Sequence, residues 1–151
     1  MEIDDITGVV VDAAVKIHRD LGSSLFESVY EVALAVVLER RGLRVVRQQS
    51  IGFSYEGVEF ERAFRADLVV ETCVLIEVKV VDRLTPIDRT QLLTYLRLGG
   101  FPVGLLLNFG AGTMKDGMKR LVNDLPPSAS SPLRVNRRRP ARGPEPRSSR
   151  E

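Results

Sequence analysis

At 151 residues, with 44% hydrophobic side chains and no Trp, the chain is long enough for one domain, whose core must be built mainly from Val, Leu, Ile and Ala. The single Cys73 excludes an internal disulfide, and one Cys with one His argues against a structural zinc centre. The net charge of +2 hides two parts of opposite sign: from Pro126 onward there are seven Arg and two Glu, and before it fifteen basic and eighteen acidic residues, so the basic character belongs to the tail and the body is acidic.

The N-terminus, Met1 to Asp5, is acidic where a signal peptide would be basic, and no apolar run approaches the ~18 residues of a membrane span. A cytoplasmic protein that does not contact membranes is expected. Apolar residues at Ile6, Val9, Val10, Ala13, Ala14 and Ile17 form a helical stripe over Ile6 to Leu21, with Gly22 placed to end it. His18, near that end, reads as a helix C-terminal histidine favoured by the dipole. A second helix is expected from about Leu25 to Arg41, closed by Gly42. Ser24 and Glu27 at its start have the spacing of a capping box, in which Glu27 would reach back to the helix entry. From Leu43 the period changes to two, and Leu43 to Phe60 reads as antiparallel strands around the turn dipeptide Glu56-Gly57. Arg62 and Arg65 read as solvated charges on the sheet.

The stretch from Asp67 to Lys79 carries the chemistry. Two apolar runs meet at Glu71-Thr72-Cys73, which predicts a tight hairpin. On its second strand Glu77 and Lys79 are two apart, hence on one face about 6.5 to 7 Å from each other, while Ile76 and Val78 face the other way. Folding back brings Asp67 toward Glu77, and two carboxylates beside a lysine make a site for a hard cation next to a positive charge. A Glu-x-Lys pair on a strand is commonly a solvated ion pair. Here the rest of the strand, from Val74 to Val81, is apolar, as in a sheet covered on both faces, where an unpartnered charge is costly.

Thr85 and Pro86 supply an N-cap and a first-turn proline for a helix to about Leu98, with Gln91 and Tyr95 four apart on one face. Val103 to Phe109 reads as a buried strand parallel to the Glu77 strand, Asn108 as a turn former, Gly110 to Lys119 as loop, and Met118 to Asn123 as a short last strand. The order helix, helix, strands, helix, strand gives an α/β sandwich with a mixed sheet. Residues 126–151, rich in Pro, Ser and Arg, lack periodicity and apolar content, so a folded domain over 1–125 and a disordered tail over 126–151 are expected. Such a tail either adds nonspecific phosphate affinity or serves as a solubilising extension. No phosphate-binding glycine loop is present, which argues against a motor activity.

Asp67, Glu77 and Lys79, with Gln91 and Tyr95 one helix later, resemble the PD-(D/E)xK nuclease superfamily. Ser24-Leu-Phe-Glu27-Ser-Val-Tyr30 further resembles the signature of its small bacterial branch of GxxExxY proteins, with Ser24 in place of the first Gly. The resemblance covers about Ile6 to Asn123. It implies a restriction-endonuclease-like α/β sandwich, a central mixed sheet flanked by helices, and Mg²⁺-dependent hydrolysis of phosphodiester bonds, in DNA before RNA, with Mn²⁺ able to substitute. By the same resemblance Asp67, Glu77 and the Val78 carbonyl hold the metal, Glu27 is directed toward it, and Lys79 orients or deprotonates the attacking water. Tyr30 would flank the site or pack in the core, and Gln91 would sit at its edge with Tyr95. Family members commonly carry His where this chain has Asp88, which removes a proton donor or phosphate contact. Many nucleases of this type pair as homodimers to cut two strands. The competing reading is a noncatalytic nucleic-acid-binding or protein-interaction module on the same scaffold.

Overall fold

A computed structural model describes residues 1–123 and 133–137. Helix α1 (Ile3–Leu21) begins three residues before its apolar stripe because the Glu2 N–H donates to Asp5 Oδ2 at 3.2 Å, satisfying a donor at the helix start. It buries Ile6, Val10, Ala13, Ala14 and Ile17, and ends at Gly22, whose φ of 78° suits only glycine. Helix α2 (Glu27–Arg40) buries Tyr30, Leu34, Ala35 and Leu38 and, among them, Glu31. Strands β1 (Val45–Tyr55) and β2 (Val58–Val70) form a long antiparallel ribbon through Glu56-Gly57, where φ is positive at both residues, as a twist-matched two-residue turn requires. Strand β3 (Val74–Lys79), helix α3 (Pro86–Gly99) and strand β4 (Val103–Asn108) make a strand–helix–strand unit in which β3 and β4 are parallel. A single turn, α4 (Met114–Gly117), lies within the expected loop, and β5 (Met118–Val122) pairs antiparallel with β4.

One mixed sheet runs in the order β5-β4-β3-β2-β1-β6, the last strand being β6 (Leu133–Arg137), antiparallel to β1. Helices flank this sheet in a restriction-endonuclease-like α/β arrangement. Alternation along β3 and β4 sends Ile76, Val78, Leu105 and Leu107 into a core shared with α1 and α2, and Leu75 and Leu106 into a second core beneath Leu92 and Leu96 of α3. A Cβ at Gly104 would stand 2.8 Å from Leu96 and 3.0 Å from Leu92, so glycine lets α3 lie directly on β4. The expectation of an unfolded tail over 126–151 differs from the structure at Leu133–Arg137, where backbone pairing with the edge of β1 makes a strand. The other tail residues lie outside the described ones. No helix among the described residues is long and apolar enough to cross a membrane.

Candidate active site

The hairpin of β2 and β3 is closed at one end and open at the other. At the closed end the Cys73 N–H donates to Val70 O at 3.1 Å, with Glu71 and Thr72 at φ values of 50° and 59°. That conformation is unfavourable for a β-branched threonine. Arg44 secures it: the Glu71 carboxylate accepts from the Arg44 backbone N–H at 2.7 Å and pairs with its guanidinium at 3.1 Å, while the Glu71 N–H donates to Arg44 O. The backbone N–H of Arg44, acting against desolvation, holds Glu71 below the usual carboxylate range. From this turn the strands pair as Val70 with Val74, Val69 with Leu75 and Leu68 with Ile76. Next in register are Asp67 and Glu77, and there the ladder stops. Asp67 Oδ2 accepts instead from the Val78 N–H at 2.9 Å, so a side chain replaces a backbone rung and the strands part.

Glu77 shares the α3 face with Leu75 and is only 7% exposed. Its Oε1 is buried without a hydrogen-bond partner among the described residues. Burial, and then the nearby Asp67 charge, push its carboxyl up to about 8, with Lys79 opposing them. Burial, and then the Glu77 and Asp67 charges, raise the Tyr95 hydroxyl, and its ring stacks on Phe64 of β2 at 4.0 Å. Gln91, one turn earlier on α3, is exposed.

Behind Asp67 stands a pair of residues that the sequence reading missed. Gln48 Nε2 donates to both oxygens of Glu31 at 2.8 Å and lies 3.5 Å from Asp67 Oδ1. Arg47 adds an ion pair to Glu31 at 3.4 Å. Gln48 adopts φ 53°, a strained value for a strand residue, and it sits opposite Asp67 in the β1–β2 register. The available signal was Glu31 itself, an acid between the apolar positions Tyr30 and Leu34.

At the far end of β3, Glu27 Oε1 accepts from the Val80 N–H at 3.2 Å. The N-cap of α2 is Phe26, with no side-chain cap, so the capping box of Ser24 and Glu27 does not form. Asn108 is more than a turn former: its amide donates to Val81 O and its Oδ1 accepts from the N–H groups of Val81 and Gly110, locking the segment after Lys79 to the end of β4. Gly110 permits this approach, since a Cβ there would meet Val81 O at 2.5 Å. Tyr30 packs in the core, stacked on Phe109 at 4.4 Å, and its hydroxyl donates to Gly22 O, fastening the α1–α2 connection. The Asp88 carboxylate accepts from the Thr85 N–H at 2.9 Å and caps α3, which explains an acid at that position. Arg62 and Arg65 are exposed on β2.

A family model for the PD-(D/E)XK nuclease superfamily matches residues 4–121. The chain belongs to this superfamily. No curated protein and no solved structure matches it. Nucleases of this superfamily generally use divalent metals. Among the described residues no three His, Cys, Asp or Glu side chains stand together as a metal cluster. Two carboxylates do converge, and Glu77 Oε1 is buried without a hydrogen-bond partner among the described residues, an oxygen that could serve as a ligand. This fits Mg²⁺, which is commonly bound by one or two carboxylates, with water and substrate oxygens completing its shell.

Proposed function

We propose that this nuclease-superfamily chain is a metal-dependent hydrolase of phosphodiester bonds in DNA, of the small bacterial GxxExxY type, working in the cytoplasm. The observation that supports it is the burial of Glu77 beside Asp67, at the point where the strands part and two residues before Lys79. Asp67, Glu77 and the Val78 carbonyl would hold Mg²⁺, or Mn²⁺ in its place, which supplies Lewis-acid activation of water and of a phosphate oxygen. Asp67 is oriented by the Val78 N–H and by Gln48. Lys79 orients the attacking water and offsets charge developing on the phosphorane. Glu27 fixes the strand end that carries Lys79, and would reach a bound cation through water. Tyr95 and the exposed amide of Gln91 form the α3 side of the cleft and contact the substrate backbone. A homodimer would bring two such centres to one duplex.

The test is thermal melting with and without millimolar Mg²⁺ or Mn²⁺, together with cleavage of plasmid and single-stranded substrates. Wild type is expected to melt higher with metal and to cleave. Glu77→Ala should lose both properties, whereas Lys79→Ala should keep the metal shift and lose cleavage by a factor of about 10² or more. A wild type without a metal response would instead identify a noncatalytic binding or interaction module.

A further inference from the structure

We infer that the cleft between the C-terminal end of α1 and the loop entering α4 is a second phosphate subsite, which holds the nucleic-acid strand away from the reacting bond. The inference rests on the nuclease reading for its substrate. The cleft has a volume of about 480 Å³ and is lined by His18 and Arg19 on one side and by Gly112, Thr113 and Lys115 on the other. No carboxylate lines it. Arg19 and Lys115 are among the cations that form no ion pair among the described residues, and these two line one concavity. The neighbouring Asp20 pairs with Lys16 at 2.6 Å and not with Arg19. On a body that is acidic as a whole, two unpaired cations facing each other across a concavity concentrate positive potential where a phosphate fits.

The cleft is built onto the same end of the sheet as the candidate centre. Asn108 neighbours Lys79 in the β3–β4 register, and the Phe109 N–H donates to Lys79 O at 2.9 Å. Three residues later Ala111 O lies 2.8 Å from His18 Nε2; a carbonyl can only accept, so this ring nitrogen carries the proton and ties the loop to α1. Four Cα steps from Asn108 to Gly112 span at most ~15 Å, and adjacent strands add about 5 Å. The subsite therefore lies within about 20 Å of Lys79, no more than about six nucleotides at ~3.4 Å each along a strand. Short substrates would fill the centre alone; longer ones would also reach Arg19 and Lys115.

Single-stranded oligonucleotides from two to twenty nucleotides test this, with full-length wild type and the double variant Arg19→Ala/Lys115→Ala, both side chains being exposed and the variant checked by its melting midpoint. The variant should cleave a dinucleotide as wild type does. On twenty nucleotides it should lose about tenfold in kcat/KM through KM, and its log–log salt slope for binding should fall by about 0.7, the value for one single-strand phosphate contact. Identical length dependence and salt slope in the two proteins would overturn the subsite. Inorganic phosphate that binds wild type but not the variant, with no change in length dependence, would make it a free-anion site and also overturn the proposal. If wild type cleaves nothing, the salt slope still decides the subsite, and the nuclease reading fails separately.

Discussion

The two ends of the β2–β3 hairpin are made from the same strands and behave as opposites. At the turn end, Leu68, Val70, Val74 and Ile76 are paired through the backbone and buried in one apolar core. At the open end the ladder gives way at Asp67 and Glu77, a carboxylate substitutes for a carbonyl, and one oxygen of a second carboxylate is buried without a hydrogen-bond partner among the described residues. A rigid, backbone-paired end allows the adjacent residues to be held in an arrangement that is unfavourable by itself.

The largest effect is expected at Ile76. Ile76→Ala leaves a cavity between the sheet and the paired helices and should cost about 2–5 kcal/mol, seen as a lower denaturant midpoint with or without metal. One residue later the expectation reverses. Glu77 has a folded-state value of about 8 against an ordinary 4.5. Between those values the folded protein holds a proton that the unfolded chain releases, so metal-free stability is fullest below pH 4.5 and is lost as pH rises through 8, at up to ~1.4 kcal/mol per pH unit. Glu77→Gln should remove this slope, and Mg²⁺ should stabilise wild type increasingly toward pH 8, both read from melting across pH. A flat metal-free wild-type profile would show that Glu77 is not held as described.

A smaller effect is expected behind Asp67. Gln48→Ala removes the bridge between Glu31 and Asp67 and leaves Glu31 with Arg47 alone; stability should fall by about 1–3 kcal/mol, and cleavage should fall further than that loss explains, measured as kcat at saturating metal. Least of all, Glu27→Gln keeps an acceptor for the Val80 N–H, so stability should change by under about 1 kcal/mol. If cleavage nevertheless collapses, Glu27 contributes charge to the centre as well as an anchor for β3.

Much of this was legible from residue order. Period-two and period-3.6 patterning, the Thr85-Pro86 start, and the turns at Glu56-Gly57 and Glu71-Thr72-Cys73 are local signals, and the elements they mark are present. The nearness of Asp67 to Glu77 followed from hairpin arithmetic, because a tight turn fixes its register. Glu31, Gln48 and Asn108 were not legible as partners of the site. Their roles depend on α2 crossing β1 and on β4 lying beside β3, contacts between residues 17 to 27 positions apart for which neither spacing nor propensity gives a signal. Glu27 shows the limit most clearly. Its spacing from Ser24 permits a helix cap and its place in the signature permits a site residue; the choice was made by the end of β3, which offers the Val80 N–H to a carboxylate 53 residues earlier in the chain. Leu133–Arg137 was not legible for the same reason: five residues among Pro, Ser and Arg carry no signal for a partner, and their pairing is with the edge of β1, about eighty positions earlier. Apart from β6 and the single turn α4, sequence alone determined which elements form and which face of each is apolar, since those depend on neighbours within a turn or two. Which polar groups meet, and which one is left buried without a partner, was decided by packing, because burial and desolvation exist only once the layers are assembled.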